Sequence, residues 1–195
     1  MRYLDAGAVF DDAGAYRYLL WRTWAPYGPR AGFILLNPST AGEADDDPTV
    51  RRCAAYARAW GCAGMEIANL FAFRATSPAQ LRLAPAPIGP RNDDEILGMA
   101  ARVGPLCAGW GNGGTFRGRA SALMELLTGR ALSCLGETVA GAPRHPLYAR
   151  RDAPLRPYRP ATGPASVSFS ISRQGFPAPT SARSLSPGSR KKSSG

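Results

Sequence analysis

The chain has 195 residues, 45% of them hydrophobic, enough to bury a core in one compact domain and leave an appended tail. Its 24 Lys+Arg against 14 Asp+Glu give a formal net charge of +10, which points towards an acidic partner such as nucleic acid. No run approaches the roughly 18 uninterrupted apolar residues of a membrane helix, and the opening MRYLDAGAVFDD has an early acid and no signal-peptide core. A cytoplasmic location without a membrane partner is therefore expected.

The charge is unevenly spread. From Leu155 to Gly195 there are seven basic residues and no acid, which leaves 17 basic against 14 acidic residues, or +3, on the rest of the chain. Cys53, Cys62, Cys107 and Cys134 form no CxxC pair, and His145 is the single histidine. A zinc-ligand set is not expected, and the cysteines read as small reduced core residues.

In chain order, AVFDDAGAYRYLLWRTW reads as a β-hairpin turning at Asp12-Ala13-Gly14 and lying at a sheet edge, and GFILLN as a short buried strand. Asp47-Pro48 reads as the N-cap and first residue of a helix. Its Val50, Cys53, Ala54 and Ala57 face inward and its Arg51, Arg52 and Arg58 outward, with Gly61 or Gly64 as the stop. GMEIANLFAF is the next strand, and the Pro/Ala-rich stretch from Ser77 to Pro90 reads as a loop. Asn92-Asp93-Asp94-Glu95 resembles a capping box opening a helix, with Ile96, Met99, Ala100 and Val103 on one face. PLCAGWG is a third core strand, Arg117 to Thr128 a helix ended by Gly129, and ALSCLG a fourth strand.

These alternating units imply an α/β three-layer sandwich: a mostly parallel central sheet between helices, preceded by the N-terminal hairpin. The expected organisation is a single domain over 1–158 and a disordered, basic Ser/Pro/Gly-rich tail over 159–195.

Ligands in such sheets bind beyond the carboxyl ends of the strands. After GFILL come Asn37, Pro38, Ser39 and Thr40; after MEIA come Asn69, Phe71 and Arg74; after PLCAG comes Trp110; after ALSCLG come Arg144, His145, Leu147 and Tyr148. Amides can read the edge of a planar amide-like ring, aromatics can stack on it and arginines can meet phosphates, a combination suited to a nucleobase or nucleotide. Plainer readings stand beside these. Asn37 can cap a turn before Pro38, Asp45, Asp46 and Asp47 can serve the helix terminus, His145 can be an exposed loop residue, and Trp110 can be core.

Taken together, LLNPSTAGEADDDPTVRRCAAYARAWG, NLFAFRATSP, GPRNDDEIL, AGWGNGGTFRGR and CLGETVAGAPRHPLY resemble the bacterial family called domain of unknown function 1643, over about Ala8 to Tyr158. That family name implies no established activity. The motif order is also similar to the uracil-DNA glycosylase superfamily, whose strand-ending Asn-Pro motif positions the attacking water and whose late His-Pro motif stabilises the departing base. LLNPS places Asn37 at the first motif and RHPLY places His145 at the second, while Leu35 and Ser39 replace the flanking glycines and Leu147 the serine after His-Pro.

The resemblance implies a uracil-DNA-glycosylase-like fold and a DNA N-glycosylase with catalytic Asn37 and His145 and no metal or organic cofactor. Asn69 is then a base-edge reader, with Phe71 or Trp110 stacking and Leu147 or Tyr148 filling the vacated space. Asp46 or Asp47 would activate the water. The contrasting reading is a noncatalytic module for DNA or a nucleotide, and a third is hydrolysis of a small nucleotide-like metabolite.

Overall fold

The computed structural model describes residues 3–38 and 45–159. Ser39, Thr40 and the stretch from 160 onward lie outside the described residues. Strands β1 (Asp5–Phe10) and β2 (Arg17–Thr23) form the expected hairpin. Its turn is closed by the Gly14 N–H donating to the Asp11 carbonyl at 3.0 Å, with Gly14 at φ +65°. β3 (Arg30–Leu35), α1 (Pro48–Ala59) and β4 (Gly64–Asn69) follow, then α2 (Pro78–Leu83) and α3 (Asn92–Arg102). The chain continues through β5 (Leu106–Ala108), a 3₁₀ segment over Gly111–Gly118, α4 (Arg119–Leu126), β6 (Ser133–Cys134), a 3₁₀ turn at Pro146–Tyr148 and β7 (Arg156–Pro157).

The strands make one sheet in the order β1-β2-β4-β3-β5-β6-β7. β4, β3, β5 and β6 run parallel, whereas β1 against β2, β2 against β4 and β6 against β7 are antiparallel. The sheet is thus mixed, which corrects the mostly parallel expectation. The hairpin's return strand extends the parallel core from one side, and β7, not expected as a strand, does so from the other.

Period-two alternation sends side chains to two cores. Ile34, Ala68, Leu106 and Ala108 meet Ile96, Met99 and Leu123 of α3 and α4. Phe33, Leu35, Met65, Ile67 and Cys107 meet Val50, Cys53, Ala54 and Ala57 of α1. Helices therefore cover both faces, and all four cysteines are buried and free.

α1 begins as its sequence dictates. Asp47 accepts the Val50 N–H at 2.7 Å, Pro48 occupies the first turn, and the backbone leaves the helix after Trp60 through Gly61 at φ +73°.

Three local expectations are corrected. The expected loop from Ser77 contains α2, capped by Ser77 accepting the Gln80 N–H. α3 has Arg91 at its N-cap with no side-chain cap; Asn92 is instead buried, donating to the Asn69 and Leu70 carbonyls at 2.9 and 3.0 Å. The fourth helix starts at Arg119 rather than Arg117, because the chain kinks at Phe116 and Arg117, the latter at φ +52°.

Candidate functional site

β3 and β4 lie side by side in parallel, with Leu35 opposite Asn69, so the segments that leave them emerge at the same edge of the sheet. The hydrogen bonds of the pair continue past the strands, from the Leu70 N–H to the Leu35 carbonyl and from the Phe71 N–H to that of Leu36. A pocket of about 170 Å³ opens at this edge. Asn37, Asn69, Asp47 and His145 line it together with Arg17, over an apolar floor of Leu35, Val50 and Ile67.

Each polar group is held by a distinct local device. Asn37, two residues beyond β3, donates both amide hydrogens, to the Pro38 carbonyl at 3.0 Å and the Ala75 carbonyl at 2.9 Å. Its Oδ1 is thereby left as an acceptor. Asn69 is the last residue of β4 and 1% exposed, and its Oδ1 has no hydrogen-bond partner among the described residues. Its backbone carbonyl is tied from the opposite core by Asn92, while Arg119 Nε donates to the adjacent Leu70 carbonyl at 2.8 Å.

His145 stands immediately before the 3₁₀ turn, where Pro146 packs on the exit of β5. A Cβ on Gly109 would lie 2.9 Å from Pro146 Cδ and 3.0 Å from Leu35 Cδ2, so glycine permits this close approach. The Leu147 N–H donates to His145 Nδ1 at 3.3 Å, which leaves the ring proton on Nε2. Burial pushes the imidazole pKa below its ordinary value, against an opposing pull from Asp47. At neutral pH His145 is a neutral imidazole with one N–H to offer.

Arg17, the first residue of β2, is 3% exposed. Burial drives its pKa down to about 10, opposed by Asp47, so it keeps its charge at neutral pH. The pocket wall thus combines a buried cation, a carboxylate, two amides and a neutral imidazole.

A second hollow of about 480 Å³ shares Asn37 and His145 and adds Trp110, Asn112, Arg144 and Tyr148. Trp110 is 3% exposed and meets Tyr158 edge-on at 5.9 Å, so its ring is core and hollow floor together. Tyr148 is exposed, its ring 5.8 Å from the imidazole, and Arg144 donates to the Glu137 carbonyl at 2.7 Å.

Other sequence candidates stand elsewhere. Phe71 is buried against Phe116, with ring centroids 5.4 Å apart. Arg74 reaches back to the hairpin, donating to the Gly14 carbonyl at 3.0 Å and lying over the Phe10 ring. Asp46 accepts from Arg22 Nε at 2.9 Å and from the Tyr3 hydroxyl at 2.5 Å, an arrangement that fixes the approach to α1. Pro38 is buried, and Leu147 lines a separate groove beside α1. Arg17, Thr49, Thr76 and Ser77 line the pocket without having been expected there. Arg17 sits among apolar strand residues, and the other three looked like ordinary helix-entry and loop chemistry.

Fold and site define an α/β protein with a small polar pocket at the carboxyl edge of its parallel strands. Residues 17–147, more than half of the chain, match the family model described as Protein of unknown function (DUF1643), and the chain belongs to that family. No curated protein and no solved structure matches it.

Proposed function

We propose that the pocket binds a nucleobase and that the protein is a DNA N-glycosylase hydrolysing a base–sugar bond, as the resemblance to the uracil-DNA glycosylase superfamily implies. The observation that carries this reading is Asn69: a buried side-chain amide at the pocket wall whose oxygen no described residue satisfies. Buried polar atoms without a partner are uncommon and call for a ligand or another explanation. An amide offers one donor face and one acceptor atom, the complement of the lactam edge of uracil, thymine or hypoxanthine. The volume agrees, since about 170 Å³ is below the roughly 300–1,000 Å³ of drug-sized sites and suits one nucleobase.

The reaction is built from this chain's own groups. The nucleotide leaves the stack so that its base can enter. Asn37 Oδ1 accepts from the attacking water, and Asp47, the carboxylate of the pocket, takes that water's proton as its oxygen bonds to the anomeric carbon. An asparagine alone is too weak a base for this step. The base–sugar bond breaks with its electron pair on the base. His145 Nε2–H donates to the resulting oxyanion, while the buried Arg17 charge favours an anionic leaving group. Asp47 then returns the proton to the base.

The test is a single-turnover assay on single-stranded and duplex oligonucleotides containing uracil, a G·U or G·T mismatch, or hypoxanthine. Abasic sites form with the wild type and are lost with Asn37→Ala and His145→Ala. If no substrate is cleaved while base-dependent binding persists and is lost in Asn69→Ala, the protein is the noncatalytic binding module instead.

A further inference from the structure

A groove of about 350 Å³ adjoins the pocket behind the Asp47 and His145 wall, and three of its lining residues are Arg51, Arg52 and Arg151. The connection is direct in the chain: Asp47 lines the pocket and Pro48 the groove, and His145 lines the pocket and Leu147 the groove. No carboxylate lines this groove, and none of the described carboxylates pairs with any of the three arginines. Of the carboxylates beside them in the chain, Asp152 pairs with Arg150, Asp46 pairs with Arg22, and Asp47 caps α1 through the Val50 N–H. Arg51 donates to the Asp46 backbone carbonyl, and Arg52 to that of Ala149 at 3.5 Å, so both are positioned without being neutralised.

Three guanidinium groups in one groove repel one another. The one carboxylate at the N-terminus of α1, Asp47, is held by the Val50 N–H and lines the pocket rather than the groove, so it does not offset them there. An arrangement that concentrates positive charge from two separate chain segments is relieved by an anion, and guanidinium forks match phosphate oxygens.

We infer that this groove is a phosphate-binding site, holding a phosphate of the nucleotide whose base enters the neighbouring pocket. The inference rests on the base-directed reading for its biological sense. The phosphate chemistry itself is testable with probes that contain no base.

Binding is measured with the full chain against two base-free probes: a 12-mer of tetrahydrofuran phosphodiester units, and deoxyribose 5-phosphate. Arg151→Gln is the primary variant because Arg151 is exposed and its replacement disturbs no packing. The triple Arg→Gln variant at 51, 52 and 151 and its Arg→Lys counterpart accompany it.

If the groove takes phosphodiesters of a strand, the slope of log K against log salt for the 12-mer weakens by about 0.7 for each phosphate contact removed, and lysine restores it. If it takes the phosphomonoester of a free nucleotide, the sugar phosphate loses affinity and the 12-mer does not. Glutamine variants that bind both probes like the wild type at every salt concentration overturn the inference. Asn69→Ala separates the two readings: base discrimination that never depended on Asn69 sinks the pocket reading, while an arginine-dependent slope on the base-free probe keeps the groove.

Discussion

Asp47 accepts the Val50 N–H and also lines the pocket, so removing it combines a structural loss with a chemical one. Two substitutions separate them. Asp47→Ala deletes the N-cap and should lower stability by about 0.5–2 kcal/mol in denaturant titrations. Asp47→Ser keeps a capping oxygen and should unfold near the wild type, yet lose about 10²–10⁴-fold in single-turnover rate if Asp47 is the base. Equal rates for Asp47→Ser and the wild type would reduce Asp47 to a cap.

The same carboxylate raises the His145 pKa against a larger lowering by burial. As the chain has one histidine, a single imidazole C2 proton resonance reports it in proton NMR. Its midpoint should lie below the ordinary value of about 6.5 and fall further in Asp47→Ser. With the folded pKa depressed, the unfolded chain binds the proton more readily. Stability from this group is therefore complete above about pH 6.5 and is lost as pH falls through the folded midpoint. A midpoint above 6.5 would contradict the buried, neutral imidazole. Asn37 was legible because it stands beside a proline directly after an apolar run, and His145 because it is the chain's single histidine, set before Pro146 past the last predicted strand. Arg17 was not, because a cation in a strand reads as solvent-facing until the tertiary structure buries it.

Among the elements, α3 exerts the longest reach on the site. Asn92 at its start donates to the carbonyls of Asn69 and Leu70, so a helix on one face of the sheet fixes the strand end on which the pocket is built. Asn92→Ala leaves the Asn69 carbonyl without that donor, while Leu70 retains Arg119. The expected cost is about 1–3 kcal/mol, seen as a lower denaturant midpoint at unchanged slope, with weakened base discrimination through a displaced Asn69. A stable variant with unaltered discrimination would make Asn92 merely local.

Spacing alone gave Asn92 the wrong role. Asn-Asp-Asp-Glu has the pattern of a capping box, but the partners that draw the asparagine inward are Asn69, the last residue of β4, and Leu70 just after it, more than twenty residues earlier. Where the signal is periodic and long, as in α1, in the apolar run of β3 or in the Ile96, Met99 and Ala100 face of α3, sequence and structure agree. It fails for α2, a single Pro/Ala-rich turn-and-a-half, and for the two-residue β7, which exists only because β6 offers it an edge.

At the scale of the whole molecule, the question is which part of the basic excess serves the site. Five of the basic residues, Arg173, Arg183, Arg190, Lys191 and Lys192, lie beyond residue 159 with no acid among them. The described architecture closes just before that point. The Tyr158 N–H donates to the Leu132 carbonyl at 2.8 Å, and its buried ring packs edge-on against Trp110 under the second hollow. A chain ending at Arg159 keeps every such contact and should melt at the wild-type temperature with an unchanged single-turnover rate. Its sequence-independent affinity for DNA should fall, with a shallower salt dependence, because fewer cations release counterions. A chain ending at Leu155 also loses β7 and Tyr158, which exposes one side of Trp110. A loss of about 3–5 kcal/mol, as for truncating a buried aromatic, is expected from that cut. Comparing the two chains separates general attraction from the site, since only the shorter one should alter the hollow beside His145. If the cut at Arg159 abolished the single-turnover rate, the tail would have to act in the chemistry, and the pocket would be incomplete without it.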